Sequence, residues 1–417
     1  MTNRSGRDRT FKEIDEGFDE LVEFTQALVR IPSVNPPGAE YPGCAELIGQ
    51  RLGDWGFEVD FLEAPGGGLP RPNVIGRRRG RAAGPTLHLN GHFDVVPPGE
   101  GWTVDPFAAV VRDGRIYGRG TCDMKAGLAC AMFAAEAVRR AGVQLVGHIE
   151  VSGTVDEESG GFAGVGHLVD EGRISGVSVD YAIIPEPFGP ERICVGHRGV
   201  HWSKIRAKGR TAHGSMPHLG RSAIDDLTAA LETVRTELAP GLALKRTDMP
   251  ITPDACRHAS LNVNGVAGGQ GSGVAQTPCV ADVAEAVIDR RFLPEESVED
   301  VRMELTNLLR GLEQADPGRS FEVEELMLVR PVQTPEDSPL LAALERGVAE
   351  VIGEPAARVA SPGTYDQKHF ARGGVDHCVA YGPGRLELAH QPDEWVELAD
   401  MKAATQVMTA AILELLG

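Results

Sequence analysis

The run Thr86-Leu87-His88-Leu89-Asn90 opens into Gly91-His92-Phe93-Asp94: a short alternating segment that reads as a strand and ends on polar, potentially reactive side chains. Strands are also predicted upstream, near 57–63 and 72–77, with this one at 85–90. Downstream, a strand at 146–154 leads into Asp156-Glu157-Glu158, and one at 179–184 leads into Pro185-Glu186-Pro187. Between them KAGLACAMFAAEAVRR, residues 125–140, is rich in alanine and long side chains and predicts a helix. Helical spacing also covers 10–30, where Phe18, Leu21, Val22, Leu28 and Val29 share a face, up to the stop at Ile31-Pro32. A further helix fits 40–55. Strands that alternate with helices imply an α/β fold with a mixed, mostly parallel sheet between helices.

The middle of the chain has another rhythm. A strand near 200–208, a helix at 222–238, strands near 258–265 and 281–292, a helix at 297–314 and a strand near 320–328 give a β-α-β-β-α-β order. That order is typical of a small α+β module. From 338 the α/β pattern resumes and closes with a helix at 399–416. The expected organisation is a discontinuous domain over 1–198 and 329–417, interrupted by an inserted domain over 199–328. No internal repeat is visible.

Composition narrows the function. The 417 residues carry a net charge of −19, which argues against nucleic acid as the main partner. The one basic run, Arg77-Arg78-Arg79-Gly80-Arg81, reads as a solvated turn between strands. Seven cysteines without a CxxC pair suit a reduced compartment. The polar N-terminus lacks an apolar signal core, and no window offers the roughly 18 consecutive apolar residues needed to span a bilayer. A soluble, cytoplasmic protein with no membrane partner is expected.

Acids and histidines recur just after predicted strands in four segments: His92 and Asp94, Asp123, Glu157 with Glu158, and Glu186; a fifth candidate, His390, lies far downstream. In α/β sheets the carboxyl ends of strands form the ligand crevice, where residues remote in sequence meet. If Asp94, Asp123, Glu157, Glu158 and Glu186 meet there, they cannot all stay ionised without positive charge. Two divalent cations would relieve most of the repulsion. Carboxylate and imidazole donors suit zinc, with manganese or cobalt open. Each piece alone is weak: His-x-Asp is more often a hydrogen-bonded pair, and an acidic pair in a loop is usually solvated.

Order and context change that. GHFDVVP, GRGTCDMKAG, TVDEESGG, IIPEP and ELAHQPDEWV, in this sequence, resemble the successive motifs of one family of dinuclear metallohydrolases. It comprises acetylornithine deacetylases, succinyl-diaminopimelate desuccinylases, aminoacylases and glutamate-releasing carboxypeptidases. The resemblance runs from about residue 20 to the C-terminus. It implies that His92 and Glu186 bind one metal, Glu158 and His390 the other, and that Asp123 bridges them. Asp94 would orient His92, and Glu157 would be the general base. A cis peptide is implied at Asp123-Met124.

GRTAHGSMPHLGRSAIDDL resembles the family's lid and dimerisation segment, so the inserted domain is expected to join a homodimer, with His213 stabilising the oxyanion. His201 and His218 read as structural. AVIDRRFLPEE resembles an Asp-x-Arg element, which implies that Arg291 holds a substrate carboxylate. SPGTYDQKHF resembles a pocket loop, with Gly363 and Thr364 as substrate residues. Cys122, beside Asp123, reads as a small buried thiol.

The chain departs from the family pattern at substrate positions. Gly273 stands where relatives usually carry asparagine, and Tyr365 and His369 replace the usual small and basic choices. The expected function is hydrolysis of the amide C–N bond of an N-acyl amino acid, or a related small carboxylate-bearing substrate, by a metal-activated water. Alternatives are a di- or exopeptidase on the same scaffold, a hydrolase of a carbamoyl or aryl-nitrogen substrate, and, remotely, a non-catalytic binding scaffold. The last would predict a lost ligand or base, and none is lost.

Overall fold

The computed structural model describes residues 2–66, 68–271 and 278–417. Two units emerge: Met1–Gly196 with Gln333–Val359 and Tyr365–Gly417, and His197–Val332 with Ala360–Thr364.

Among the described residues the first unit is built on a nine-stranded mixed sheet. From one edge run Glu58–Glu63, Pro72–Arg79, His148–Thr154, Thr86–His92, Tyr181–Ile184, Cys378–Ala380, Arg192–His197 and Val332–Gln333, with Ala357–Ser361 also paired to Arg192–His197. The parallel pairs lie in the middle, joining His148–Thr154 to Thr86–His92, Thr86–His92 to Tyr181–Ile184, and Tyr181–Ile184 to Cys378–Ala380. Antiparallel pairs flank them. The α/β expectation holds.

Thr86–His92 is buried along its whole length, and its two faces differ. Leu87 and Leu89 join a core with Leu128 and Met132 of the helix Ala126–Arg140, and with Met408 and Ile412 of the helix Leu398–Leu416. On the alternate face, buried polar groups satisfy one another. His88 Nδ1 lies 2.9 Å from Glu150 Oε2, and His88 Nε2 lies 2.7 Å from Ser152 Oγ. Ser152 Oγ in turn donates to Asn90 Oδ1 at 2.6 Å.

Two local readings change. The helical stretch predicted over 10–30 is two helices, Thr2–Glu16 and Phe18–Val29, parted at Gly17. Glycine costs a helix interior about 1 kcal/mol relative to alanine, and a Cβ here would crowd the Glu13 carbonyl at 3.1 Å. The basic run is not a solvated turn either: Arg77 to Arg79 finish a strand. Arg77 pairs with the buried Glu150, and the Arg78 guanidinium stands 5.0 Å from the Phe57 ring.

The second unit has a four-stranded antiparallel sheet in the order Ser260–Gly269, Val283–Phe292, Gly199–Lys208, Phe321–Val329. Ala223–Thr233 and Val298–Ala315 pack on it through Leu227, Ala230, Leu305 and Leu309 against Ile205, Ala207 and Ile288. Each helix starts on a serine cap: Ser222 Oγ accepts from Asp225 N at 3.2 Å, and Ser297 Oγ from Asp300 N at 3.3 Å. Among the described residues no helix is long and apolar enough to cross a membrane. Among the described residues no cysteine is in a disulfide, and Cys122 is buried.

Candidate active site

The central strands end side by side, and the loops that leave them carry the chemistry. His92 closes Thr86–His92; Glu157 and Glu158 sit in the short turn Glu157–Ser159 after His148–Thr154; Glu186 follows Tyr181–Ile184. Asp123 lies in the irregular turn Thr121–Lys125, which leads into the helix Ala126–Arg140, and its peptide bond to Met124 is cis. Gly127 lets that helix reach the site, because a Cβ there would fall 1.9 Å from the Pro185 carbonyl oxygen. The close approach sets Asp123 beside Glu186. His390 comes from the loop after Leu386–Leu388, with φ 63°.

The groups form two triads that share one carboxylate. His92 Nε2 lies 3.0 Å from Asp123 Oδ1 and 3.9 Å from Glu186 Oε1. His390 Nε2 lies 3.1 Å from Glu158 and 3.3 Å from Asp123 Oδ2. Within each triad one donor atom per residue falls within 4.8 Å of the others.

Electrostatics shows what this crowding lacks. Burial, then the Asp123 charge, pushes Glu158 up to about 7 and Glu186 well above the usual carboxylate range. Against burial, hydrogen bonds with His390 and His92 hold Asp123 low. Hydrogen bonds to Asp123 and Glu158 lift His390 to about 10. His92 is also raised, since Asp123 and Asp94 outweigh its burial. Three carboxylates clustered at a buried site call for positive charge beside them. A divalent cation in each triad fits the donor set and would supply it.

The remaining sequence candidates divide between the units. Asp94 is fully buried beside His92. Its main-chain oxygen makes the closer contact to His92 Nδ1, 2.9 Å against 3.5 Å for the carboxylate. The carboxylate instead accepts the Glu157 N–H on Oδ1 at 3.1 Å and the Glu158 N–H on Oδ2 at 3.2 Å. Glu157 belongs to neither triad, so its carboxylate is available to move a proton. His213, Arg291, Gly363 and Thr364 lie in the second unit. His213 is exposed, and its Nδ1 accepts from Ser215 N at 3.2 Å. Arg291 is engaged by Asp289 through two hydrogen bonds of 2.7 and 3.0 Å. The Gly363 N–H donates to Ser361 Oγ at 3.1 Å. His201 is buried beside Glu325. Gly273 lies outside the described residues.

Three groups escaped the sequence reading although two quoted segments contain them. Lys368 is buried with Nζ 3.5 Å from Glu157 Oε1. Burial pushes Asp366 up to about 7 against the pull of Lys368, and its Oδ1 has no hydrogen-bond partner among the described residues. Glu394 accepts the main-chain N–H groups of Cys122 and Asp123 at 2.8 and 3.1 Å and is ion-paired to the buried Arg119.

Residues 88–414 match peptidase family M20/M25/M40. The chain belongs to that family. It is 30% identical over 407 residues to a succinyl-diaminopimelate desuccinylase of Alkalilimnicola ehrlichii, a match that spans 95% of this chain and 100% of the other. Among solved structures it resembles the di-peptidase Dug1p of Saccharomyces cerevisiae, with a TM-score of 0.77 at 17% identity over 98% of each chain. It also resembles human carnosine dipeptidase 1, with a TM-score of 0.75 at 21% identity over 98% of this chain and 99% of that one. This M20-family chain is a hydrolase of amide C–N bonds.

Proposed function

We propose that this M20-family hydrolase is a deacylase that frees the amine of an N-acyl amino acid, or of a related small carboxylate-bearing amide, with two divalent ions. The observation that carries this reading is the pair of triads joined at Asp123. His92 and Glu186 would hold one ion, Glu158 and His390 the other, and Asp123 both, zinc being the first candidate before manganese or cobalt. When bound, such ions lower the pKa of water and polarise a carbonyl.

The chain's own groups do the rest. Glu157 takes the proton of the attacking water and delivers it to the leaving nitrogen, a transfer open to it because neither triad claims its carboxylate. Asp94 holds the loop on which the base sits. His213 receives the Ser215 N–H on Nδ1, so its neutral ring carries the proton on Nε2 and offers a donor to a developing oxyanion. Arg291, oriented by Asp289, would clamp the substrate carboxylate, and Gly363 and Thr364 would line the acyl side.

Residues 199–328 would act as lid and dimerisation domain between the catalytic segments 1–198 and 329–417. The edge strand Ser260–Gly269, with Val263 and Val266 exposed, supports a homodimer. A cytoplasmic location agrees with cysteines that form no disulfide among the described residues. A second reading, a dipeptidase, draws on the two named neighbours; the chemistry is the same and only the pocket differs.

Amine release from a panel of N-acyl amino acids and dipeptides tests both. It is run before chelation, after chelation, and after zinc, manganese or cobalt is restored. Metal-restored release from acyl amino acids supports the deacylase, and release from dipeptides alone supports the second reading. No release under any metal would sink both.

A further inference from the structure

After the helix Phe18–Val29 ends at its cap Arg30, and ahead of the cis Asn35-Pro36 and Pro36-Pro37 peptides, the chain runs beside the loop that follows His92. Val34 forms a parallel bridge with Val95. The Asn35 N–H donates to the Val95 oxygen at 2.8 Å, and the Val95 N–H to the Ser33 oxygen at 3.0 Å. Upstream, the buried Lys125 ammonium donates to the carbonyls of Leu28 and Ile31 at 2.9 and 2.7 Å. The segment Ile31–Asn35 is therefore fastened on both sides of the turn, and what it delivers is one buried amide: Asn35 Nδ2 donates to Asp94 Oδ2 at 2.8 Å.

That contact completes a closed set. Asp94 Oδ1 receives the Glu157 N–H, and Oδ2 receives the Glu158 N–H and the Asn35 amide. The torsion that turns a carboxylate plane is soft and broad. The two main-chain N–H groups, one on each oxygen, tie the carboxylate to a single turn and can shift with it as one unit. Asn35 approaches from a different segment and closes that freedom. Among the described residues it makes no hydrogen bond to the base or to a triad, and its link to both glutamates runs through Asp94.

We propose that Asn35 is a positioning residue for the hydrolysis, acting through Asp94 on the turn that carries Glu157 and Glu158. The inference rests on the roles given to those two glutamates under Proposed function. It makes the Ile31–Asn35 segment part of the catalytic apparatus, although that segment offers no reacting group.

The test uses the full chain, stripped of metal and titrated with Co2+ by calorimetry, and then assayed when loaded. Two variants are compared with the parent: Asn35→Ala, which removes the donor, and the isosteric Asn35→Asp, which faces Asp94 with another acid. The expected result is a fall in kcat of about 10- to 100-fold, a KM within about twofold of the parent's, and weaker binding of one Co2+ while the other is unchanged. A merely structural asparagine would lower the melting temperature and leave kcat and both affinities intact below it, and that outcome overturns the proposal. If Asn35→Ala does not fold, Asn35→Asp decides by the same criteria. A parent chain that binds fewer than two Co2+ ions would instead overturn the two-ion reading, and this inference with it.

Discussion

Gly127→Ala is a one-methyl change with opposed consequences for the helix and for the site. In isolation the helix Ala126–Arg140 would gain about 1 kcal/mol, since alanine is the better helix former. The new Cβ, however, would stand 1.9 Å from the Pro185 carbonyl oxygen, and also 3.0 Å from the carbonyl carbon and 3.1 Å from Pro185 Cβ. An ordinary carbon–oxygen approach is roughly 3.3 Å, so the two main-chain segments must part by about 1.4 Å. Neither is a flexible side chain that can swing aside, and overpacking of this kind costs about 1–3 kcal/mol. The net change in stability is therefore small. The movement, by contrast, separates Asp123, four residues before Gly127, from Glu186, which follows Pro185. Misplacing reactive groups by about 1 Å costs on the order of 100-fold in rate. We expect kcat lower by about that factor, weaker Co2+ binding in calorimetry, and a melting temperature close to the parent's. A variant with raised melting temperature and parental kcat would refute the argument that this contact sets the spacing of Asp123 and Glu186.

Other outcomes follow from the same geometry. Glu157→Gln should lower kcat by about 10²–10⁴-fold while two Co2+ ions still bind; near-parental activity would remove Glu157 as the base. Arg119→Met strands the buried Glu394, and breaking such a pair costs about 3–5 kcal/mol, to be read from urea unfolding of the metal-free chain; a loss under about 1 kcal/mol would count against the pair. His369 donates to the Gly160 carbonyl at 2.8 Å, and burial, then the Lys368 charge, holds it at about 3. Its folded pKa lies below the unfolded value of about 6.5, so the unfolded chain takes up the extra proton. The stabilisation is full above pH 6.5 and drains away as pH falls toward 3, with about 2 kcal/mol gone by pH 5. His369→Asn should flatten the pH dependence of unfolding over that window, and an unchanged slope would contradict the assignment.

The fold was readable because periodicity reports burial. TLHLNGH alternates leucine with polar residues, and the structure turns the leucines to the core helices. Glu158 and Glu186 stood out because acids just after apolar strands are out of place unless something binds them, whereas the parts of Asp123 and His390, in an irregular turn and a loop, were implied by the motif resemblance. Asn35, Lys368 and Glu394 gave no such signal. Their partners lie 59, 211 and 272 residues away, and only the folded chain brings them into reach. Asp94 was noticed for its nearness to His92 in sequence, yet most of its carboxylate's bonds run to a turn more than sixty residues on. The break at Gly17 was missed because helical spacing continues in phase across it.

The polar row on the central sheet has a bearing on how the chain folds. His88, Asn90 and His92 point one way from their strand, and Leu87 and Leu89 the other. A slip of one residue in its pairing would exchange the faces, driving two histidines into the aliphatic layer beneath the helices and stranding Glu150 and Ser152 without partners. Each orphaned buried group costs about 1–3 kcal/mol, so a misregistered sheet is disfavoured several times over. The same slip would turn His92 away from Asp123. A misregistered scaffold would therefore lose its buried polar pairs and the His92–Asp123 contact in the same step.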